Sequence, residues 1–199
     1  MSDLSAVASE RFAIFEAVLR HWQRRINLVS GSTLNELRRR HFFDCQQLLT
    51  LAPSWRNWLD LGSGAGFPGM VVALANEDLS KIVHLVESDK RKVAFLREVS
   101  RETGIKVEIH GGRIEALVPE LCRQITFDVV SARALASLDK LVDYAEPALR
   151  AGALGLFLKG KSVAIELTAI ESKINFHADI VESRTDPDGK IVILRWRQA

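Results

Sequence analysis

At 199 residues, 47% hydrophobic and 26% charged, the chain is long enough to bury one substantial core. Two cysteines exclude a disulfide framework and a cysteine metal site, and no apolar run reaches membrane-spanning length. The net charge of +2 hides an asymmetry, because residues 1–58 carry eight arginines and no lysine against five acids. Such arginines suit forked contacts to phosphate or form a solvated helix face, and charge alone does not choose between the two.

Apolar residues at Leu4, Val7, Ala8, Phe12, Phe15, Val18, Leu19 and Trp22 recur at helical spacing, which predicts a helix over 4–22. Ile26–Ser30 reads as a short connector. A second helix is expected over 33–51, with Leu34, Leu37, Phe42, Cys45, Leu48 and Leu49 inward, ending before Pro53. Residues 1–54 are thus expected to form a helical cap on an α/β core over 55–199, the whole chain being one domain. From Asn57 onward, strands and helices alternate. Strands are predicted at 57–61, 82–87, 106–110, 127–131 and 153–158. The intervening helices are predicted to run from the glycine turn to Asn76, then over 89–103, a short piece to 122, 138–149 and 162–173. Two last strands, 175–184 and 190–197, flank Asp186-Pro187-Asp188-Gly189, a hairpin turn signal. Five β/α units and a closing hairpin predict a doubly wound sheet with one antiparallel edge.

The stretch with most chemical content is Trp58 to Gly69, WLDLGSGAGFPG. It reads as a buried strand, a turn with Gly62, Gly64 and Gly66 alternating, and a helix start. Glycines are needed where the backbone takes positive φ or lies against a ligand. Together these parts make a nucleotide-type cofactor site at the carboxyl edge of a sheet. A dinucleotide fingerprint would need a third glycine at position 67, where Phe67 stands, and no Gly-Lys-Ser/Thr follows to make a P-loop. The spacing present, G-x-G-x-G after Asp60, is similar to that of S-adenosylmethionine methyltransferases, and the closing hairpin resembles their class I fold.

Glu87 ends the second strand, where an acid can accept from both ribose hydroxyls. Asp89 then serves as the helix cap. Gly112-Arg113-Ile114-Glu115 follows the third strand, where the adenine of such a cofactor would lie. It reads equally as a helix start with an acid in its first turn. Ser131-Ala132-Arg133-Ala134 leaves the fourth strand at the edge where substrate must meet the methyl group. Lys159-Gly160-Lys161 leaves the fifth, as two cations for RNA phosphate or as a solvated strand end. Methylation of an exocyclic amine usually goes with Asn/Asp-Pro-Pro-Tyr/Phe after the fourth strand, and that motif is absent here. Cys45 and Cys122 are poorly placed to act as nucleophiles on pyrimidine C5. A target that is already nucleophilic remains, such as N7 of guanine, for which catalysis is mostly alignment.

Asn27-Leu28-Val29-Ser30, Arg40-His41-Phe42-Phe43-Asp44-Cys45, LDLGSGAGFPG, VESDKRKVAFL, GRIE, SARA and LKG occur in that order over about residues 12–160. This ordered set resembles the bacterial 16S ribosomal RNA guanine-N7 methyltransferases, the glucose-inhibited division protein B family. Where that family often has serine after the RHFxD aspartate, this chain has Cys45. The resemblance implies a cytoplasmic enzyme that uses S-adenosylmethionine to methylate N7 of a guanine in the 530 loop of 16S rRNA, and a monomer is expected. It further implies cofactor contacts from Gly62, Phe67, Ile114, Glu115 and Arg133, alongside Gly64, Gly66 and Glu87 from the residue reading. Arg39, Arg40, His41 and Lys159 would face RNA, as free rRNA or in a ribosomal particle. No metal is implied. A small-molecule methyltransferase and a non-catalytic RNA-binding module are the competing readings.

Overall fold

The computed structural model describes residues 5–171 and 176–197. Its centre is a seven-stranded sheet in the order β3-β2-β1-β4-β5-β7-β6. Strands β1 (Asn57–Leu61), β2 (Ile82–Glu87), β3 (Glu108–Gly111), β4 (Val129–Arg133) and β5 (Leu154–Lys159) are parallel. β7 (Lys190–Trp196) returns antiparallel to β5, and β6 (Phe176–Glu182) pairs with it at the edge. The chain winds outward from β1 to β3, then crosses back to lay β4 beside β1. That reversal opens a crevice above the carboxyl ends of β1 and β4, the place where doubly wound sheets bind ligands.

The central strands β1, β2, β4 and β5 are buried on both faces, and their side chains alternate between two cores. Trp58, Val129 and Leu156 face one core, whereas their neighbours Leu59, Val130 and Phe157 face the other. The first core takes helix α1 (Ala6–Gln23), α4 (Gly69–Ala75) and α5 (Lys90–Thr103). The second takes α6 (Ile114–Gln124), α7 (Leu138–Arg150) and α8 (Val163–Glu171). Helix α5 shows how local signals set the ends. The Asp89 carboxylate accepts from the Arg91 N–H at 2.8 Å, and Gly104 stops the helix at φ 66°.

The cap departs from the expected pair of helices. α1 forms as read, with Ser5 capping the Ala8 N–H at 3.1 Å and Ala8, Phe12, Phe15 and Leu19 buried. The expected helix over 33–51 is instead broken. A 3₁₀ turn over Gly31–Glu36 leads into a π turn over Arg38–Phe43, then the short helices α2 (Asp44–Gln46) and α3 (Leu48–Leu51). Ser30, Ser32 and Thr33 bond locally at its start, which offers the backbone an alternative to α geometry. The connector before it is held by one residue. Gln23 accepts from the N–H groups of Leu28 and Val29 and donates to the Val29 carbonyl. β4 begins two residues later than expected, because the Asp128 carboxylate is used in the preceding loop to cap the N–H groups of Arg56 and Asn57. Ala132 and Arg133 are therefore the end of the strand rather than the loop after it. The ends of two further expected elements, residues 172–173 and 175, lie outside the described residues.

Candidate active site

The glycine turn occupies the carboxyl end of β1. Gly62, Gly64 and Gly66 have φ of 62°, 55° and 87°, so all three are in the region that penalises a Cβ. Their surroundings differ. A Cβ on Gly64 would meet only the Gly62 carbonyl oxygen, at 3.6 Å, an ordinary contact that leaves it room. A Cβ on Gly66 would come within 2.8 Å of Met70 Cβ, so Gly66 lets the turn pack on α4. Gly69 makes the same allowance where α4 starts, since a Cβ there would lie 2.5 Å from Leu85 and 2.6 Å from Asp60.

Glu87 braces the turn from β2. Its Oε2 accepts from the Gly64 N–H and its Oε1 from the Asp89 N–H, each at 2.8 Å. Each oxygen keeps lone-pair capacity for a second donor. Beneath the turn lies a buried relay. Trp58 Nε1–H donates to Ser131 Oγ, which donates to Asp60 Oδ1, both at 2.8 Å. Burial pushes the Asp60 carboxyl up to about 7 despite the Ser131 hydrogen bond.

Above the crevice is a cavity of about 590 Å³, within the range of small-molecule sites, roughly 300–1,000 Å³. Gly62, Gly64, Phe67, Glu87, Ile114, Glu115, Arg133 and His41 all line it. Gly66 does not, and turns toward the core. Arg39 and Arg40 lie outside as exposed side chains, with Arg40 paired to Asp186 at 3.3 Å. Lys159 does not reach the mouth. Its ammonium is bound inward by Glu166 at 2.6 Å and the Ala136 carbonyl at 3.0 Å, so the expectation that it meets RNA gives way to a role joining β5 to α8.

His41 and Phe67 carry the cap onto the glycine turn. Their rings stack with centroids 4.9 Å apart, and Phe15 and Phe42 pack around Phe67. Thr33 Oγ1 lies within bonding distance of both the Ser30 carbonyl, to which it donates at 2.9 Å, and His41 Nε2, at 3.0 Å. This arrangement suits an Nε2–H donor, and Nδ1 is buried without a partner. Burial, together with the Arg133 and Arg40 cations, pushes the His41 pKa down to about 4, so the ring is neutral near pH 7. Arg133, at the end of β4, donates to the Arg40 carbonyl at 2.8 Å and lies over Phe67 at 5.9 Å. Burial pushes the Cys45 thiol up to about 12 and Cys122 up to about 11, so neither is a thiolate near neutrality.

Several cavity residues carry no site role in the sequence reading, although some lie in the quoted motifs. Leu28, Val29 and Ser30 come from the connector, Lys92 from α5, and Lys140 and Tyr144 from α7. The Glu115 carboxylate lies near the Tyr144 hydroxyl and raises its pKa above the ordinary value. Lys140 and Tyr144 are four apart and so share a helix face, a spacing visible in the sequence but without meaning until α7 was placed beside α6.

Comparison with known proteins agrees with this geometry. The model of the family described as GidB, rRNA small subunit methyltransferase G, matches residues 8–190. A protein of that name from Parvibaculum lavamentivorans is 46% identical over 197 residues, covering 98% of this chain and 86% of the relative. The Rhodospirillum rubrum protein of the same name is 48% identical over 184 residues, covering 92% and 88%. Among solved structures, an O-methyltransferase from Bacillus cereus in complex with SAH superposes with a TM-score of 0.64 over 98% of this chain and 93% of that one, at 14% identity. That likeness bears on the fold, which is the class I methyltransferase fold. The chain belongs to the GidB family, rRNA small subunit methyltransferase G.

Proposed function

We propose that this protein methylates N7 of a guanine in the 530 loop of 16S rRNA, with S-adenosylmethionine as methyl donor. The coarser part, methylation of small-subunit rRNA, follows the family. The observation that carries the finer part is the cavity itself. It joins a glycine turn braced by Glu87 to a mouth whose one histidine is neutral and whose neighbouring thiol, the buried Cys45, stays protonated. Such a site has no thiolate for attack on a pyrimidine and suits a target that brings its own lone pair.

The residues present fit the cofactor. Gly64 leaves room where a Cβ would stand. Glu87 has acceptor capacity for ribose hydroxyls beyond its two backbone bonds. Val86 and Ile114 offer apolar wall for a purine, with Glu115 beside them for its exocyclic amine. Bound there, S-adenosylmethionine supplies an electrophilic sulfonium methyl, and N7 accepts it without any proton having to leave the base. The chain's task is then to orient the base and exclude water. Phe67, His41 and Arg133 form the wall nearest the switch point and are the groups placed to do so. Exposed Arg39 and Arg40 supply cations for backbone phosphates outside the cavity. We read the enzyme as a cytoplasmic monomer acting on rRNA, free or in a particle.

The test is methyl transfer from labelled S-adenosylmethionine to small ribosomal subunits lacking the modification, with the product nucleotide mapped. Label on N7 of a 530-loop guanine is the expected result. Tight cofactor binding without label on RNA would overturn the substrate assignment and favour a small-molecule acceptor.

A further inference from the structure

We infer that Asp44 is a positioning residue of this site, acting through Arg133 and resting on the rRNA methyltransferase reading above. Asp44 lies in α2, outside the cavity, and is 7% exposed. Its two oxygens face different ways. Oδ1 accepts from Ser183 Oγ at 2.8 Å, Thr185 Oγ1 at 2.9 Å and Gln47 Nε2 at 2.8 Å. Oδ2 faces Arg133 Nη1 at 3.5 Å, in an ion pair whose side chains are only 10% and 20% exposed.

One carboxylate thus ties three separate parts of the chain. Ser183 and Thr185 belong to the turn between β6 and β7, Gln47 to the cap, and Arg133 to the end of β4 beside the switch point. The guanidinium needs this help because its other contacts are few. Nη2 is held by the Arg40 carbonyl at 2.8 Å, whereas Nη1 has Cys45 Sγ at 3.5 Å as its second neighbour. A thiol held protonated by burial is a weak acceptor, so Asp44 is the charged partner within reach of Nη1. The π turn belongs to the same arrangement, since it presents the Arg40 carbonyl to Arg133 and the His41 ring to the cavity. Without Asp44, Arg133 keeps its place in sequence but loses one side of its clamp. Displacement of about 1 Å in a group that aligns a reaction costs on the order of a hundredfold in rate.

The variants are Asp44→Asn, Arg133→Ala and both together, with Ser183→Ala/Thr185→Val as a control that removes the hairpin hydroxyls from Oδ1 but keeps the charge opposite Arg133. Asn keeps an acceptor for the hairpin hydroxyls while removing the charge opposite Arg133. We expect Asp44→Asn to lower kcat on small subunits by about a hundredfold, a loss larger than any in affinity for S-adenosylhomocysteine by calorimetry. The double variant should be no slower than Arg133→Ala, because the two residues act as a unit. The hairpin control should lose less activity than Asp44→Asn. Additive losses in the double variant, or a control as slow as Asp44→Asn, would overturn the inference and leave Asp44 a docking residue. NMR of the Arg133 Nε–H resonance gives a readout independent of the substrate: wild type should exchange more slowly with solvent than Asp44→Asn, and equal rates would also overturn it. An inactive wild type with that difference intact would count against the rRNA reading and not against Asp44.

Discussion

Positive φ gives Gly64 and Gly104 the same backbone demand at two distant places, 55° in the cavity wall and 66° at the end of α5. Both have room for a Cβ, with nothing nearer than 3.6 Å at Gly64 and nothing within 4 Å at Gly104. Alanine at either site should therefore cost about 1 kcal/mol of stability through backbone strain alone. Only Gly64→Ala should weaken binding of S-adenosylhomocysteine, because only there does the new methyl project into the cofactor space. Calorimetry and denaturant melts of the pair separate strain from occupancy. Equal affinity losses in both variants would mean that the turn contributes through stability and not contact. Glu87→Gln tests the other half of the turn. An amide can accept at one end only, so one of the Gly64 and Asp89 N–H groups would face an NH₂ donor. Loss of a hydrogen bond to a charged group is worth about 1.5–3 kcal/mol, so cofactor affinity should fall about tenfold to a hundredfold. An unchanged dissociation constant would remove Glu87 from the site.

Helices in the cap answer to packing more than to propensity. Phe15 is fully buried and stacks on Phe42 at 5.2 Å, with Phe67 at 5.8 Å and Phe95 at 6.3 Å, so one ring joins α1, the π turn, the glycine turn and α5. Phe15→Ala should cost about 3–5 kcal/mol in denaturant unfolding. A loss below about 1 kcal/mol would mean that the cap repacks and does not set the cavity wall. Arg39, exposed on the π turn, carries the opposite kind of prediction. Arg39→Ala should weaken binding to small subunits, lower the slope of log affinity against log salt by about one, and leave cofactor affinity alone. A flat salt dependence in the wild type would take phosphate contact away from this turn. The parallel strands and their helices were legible in the sequence, because apolar runs such as Ile82–Glu87 and the Asp89 and Gly104 caps state their own limits. The π turn was not. Leu34, Leu37, Phe42 and Cys45 fit helical spacing, yet beyond the local bonds of Ser30 and Thr33 the contacts that hold the broken segment run to Arg133 and the hairpin, far away in sequence. Lys159 was misread for the same reason, since its partner Glu166 becomes a neighbour only when α8 folds back on β5.

Titratable groups buried on both sides of the sheet give the whole molecule a pH profile. His84 and His110 stack with centroids 5.3 Å apart, and their Nδ1 and Nε2 atoms lie 3.1 Å apart. Burial, with His110 adding to it, pushes His84 down to about 4, and burial lowers His110 as well. His41, also about 4, is a third histidine whose value burial lowers. On unfolding, each returns to its ordinary value of 6.5 and takes up a proton below it. The unfolded chain then binds more protons than the folded one, so stability rises with pH between about 4 and 6.5. Asp60 works in the other direction. Its folded value of about 7 lies above its ordinary 3.8, so its contribution is complete below 3.8 and is lost as pH rises to 7. Three histidines outweigh one aspartate in the shared window, which predicts an increase in melting temperature from pH 4 to a maximum near 6.5, followed by a shallow decline to 7 that belongs to Asp60. Thermal melts across that range check the profile, and variants assign its limbs. His84→Leu should flatten the rise, and Asp60→Asn should remove the decline. A rise of unchanged slope in His84→Leu would place the linked protons elsewhere in the fold.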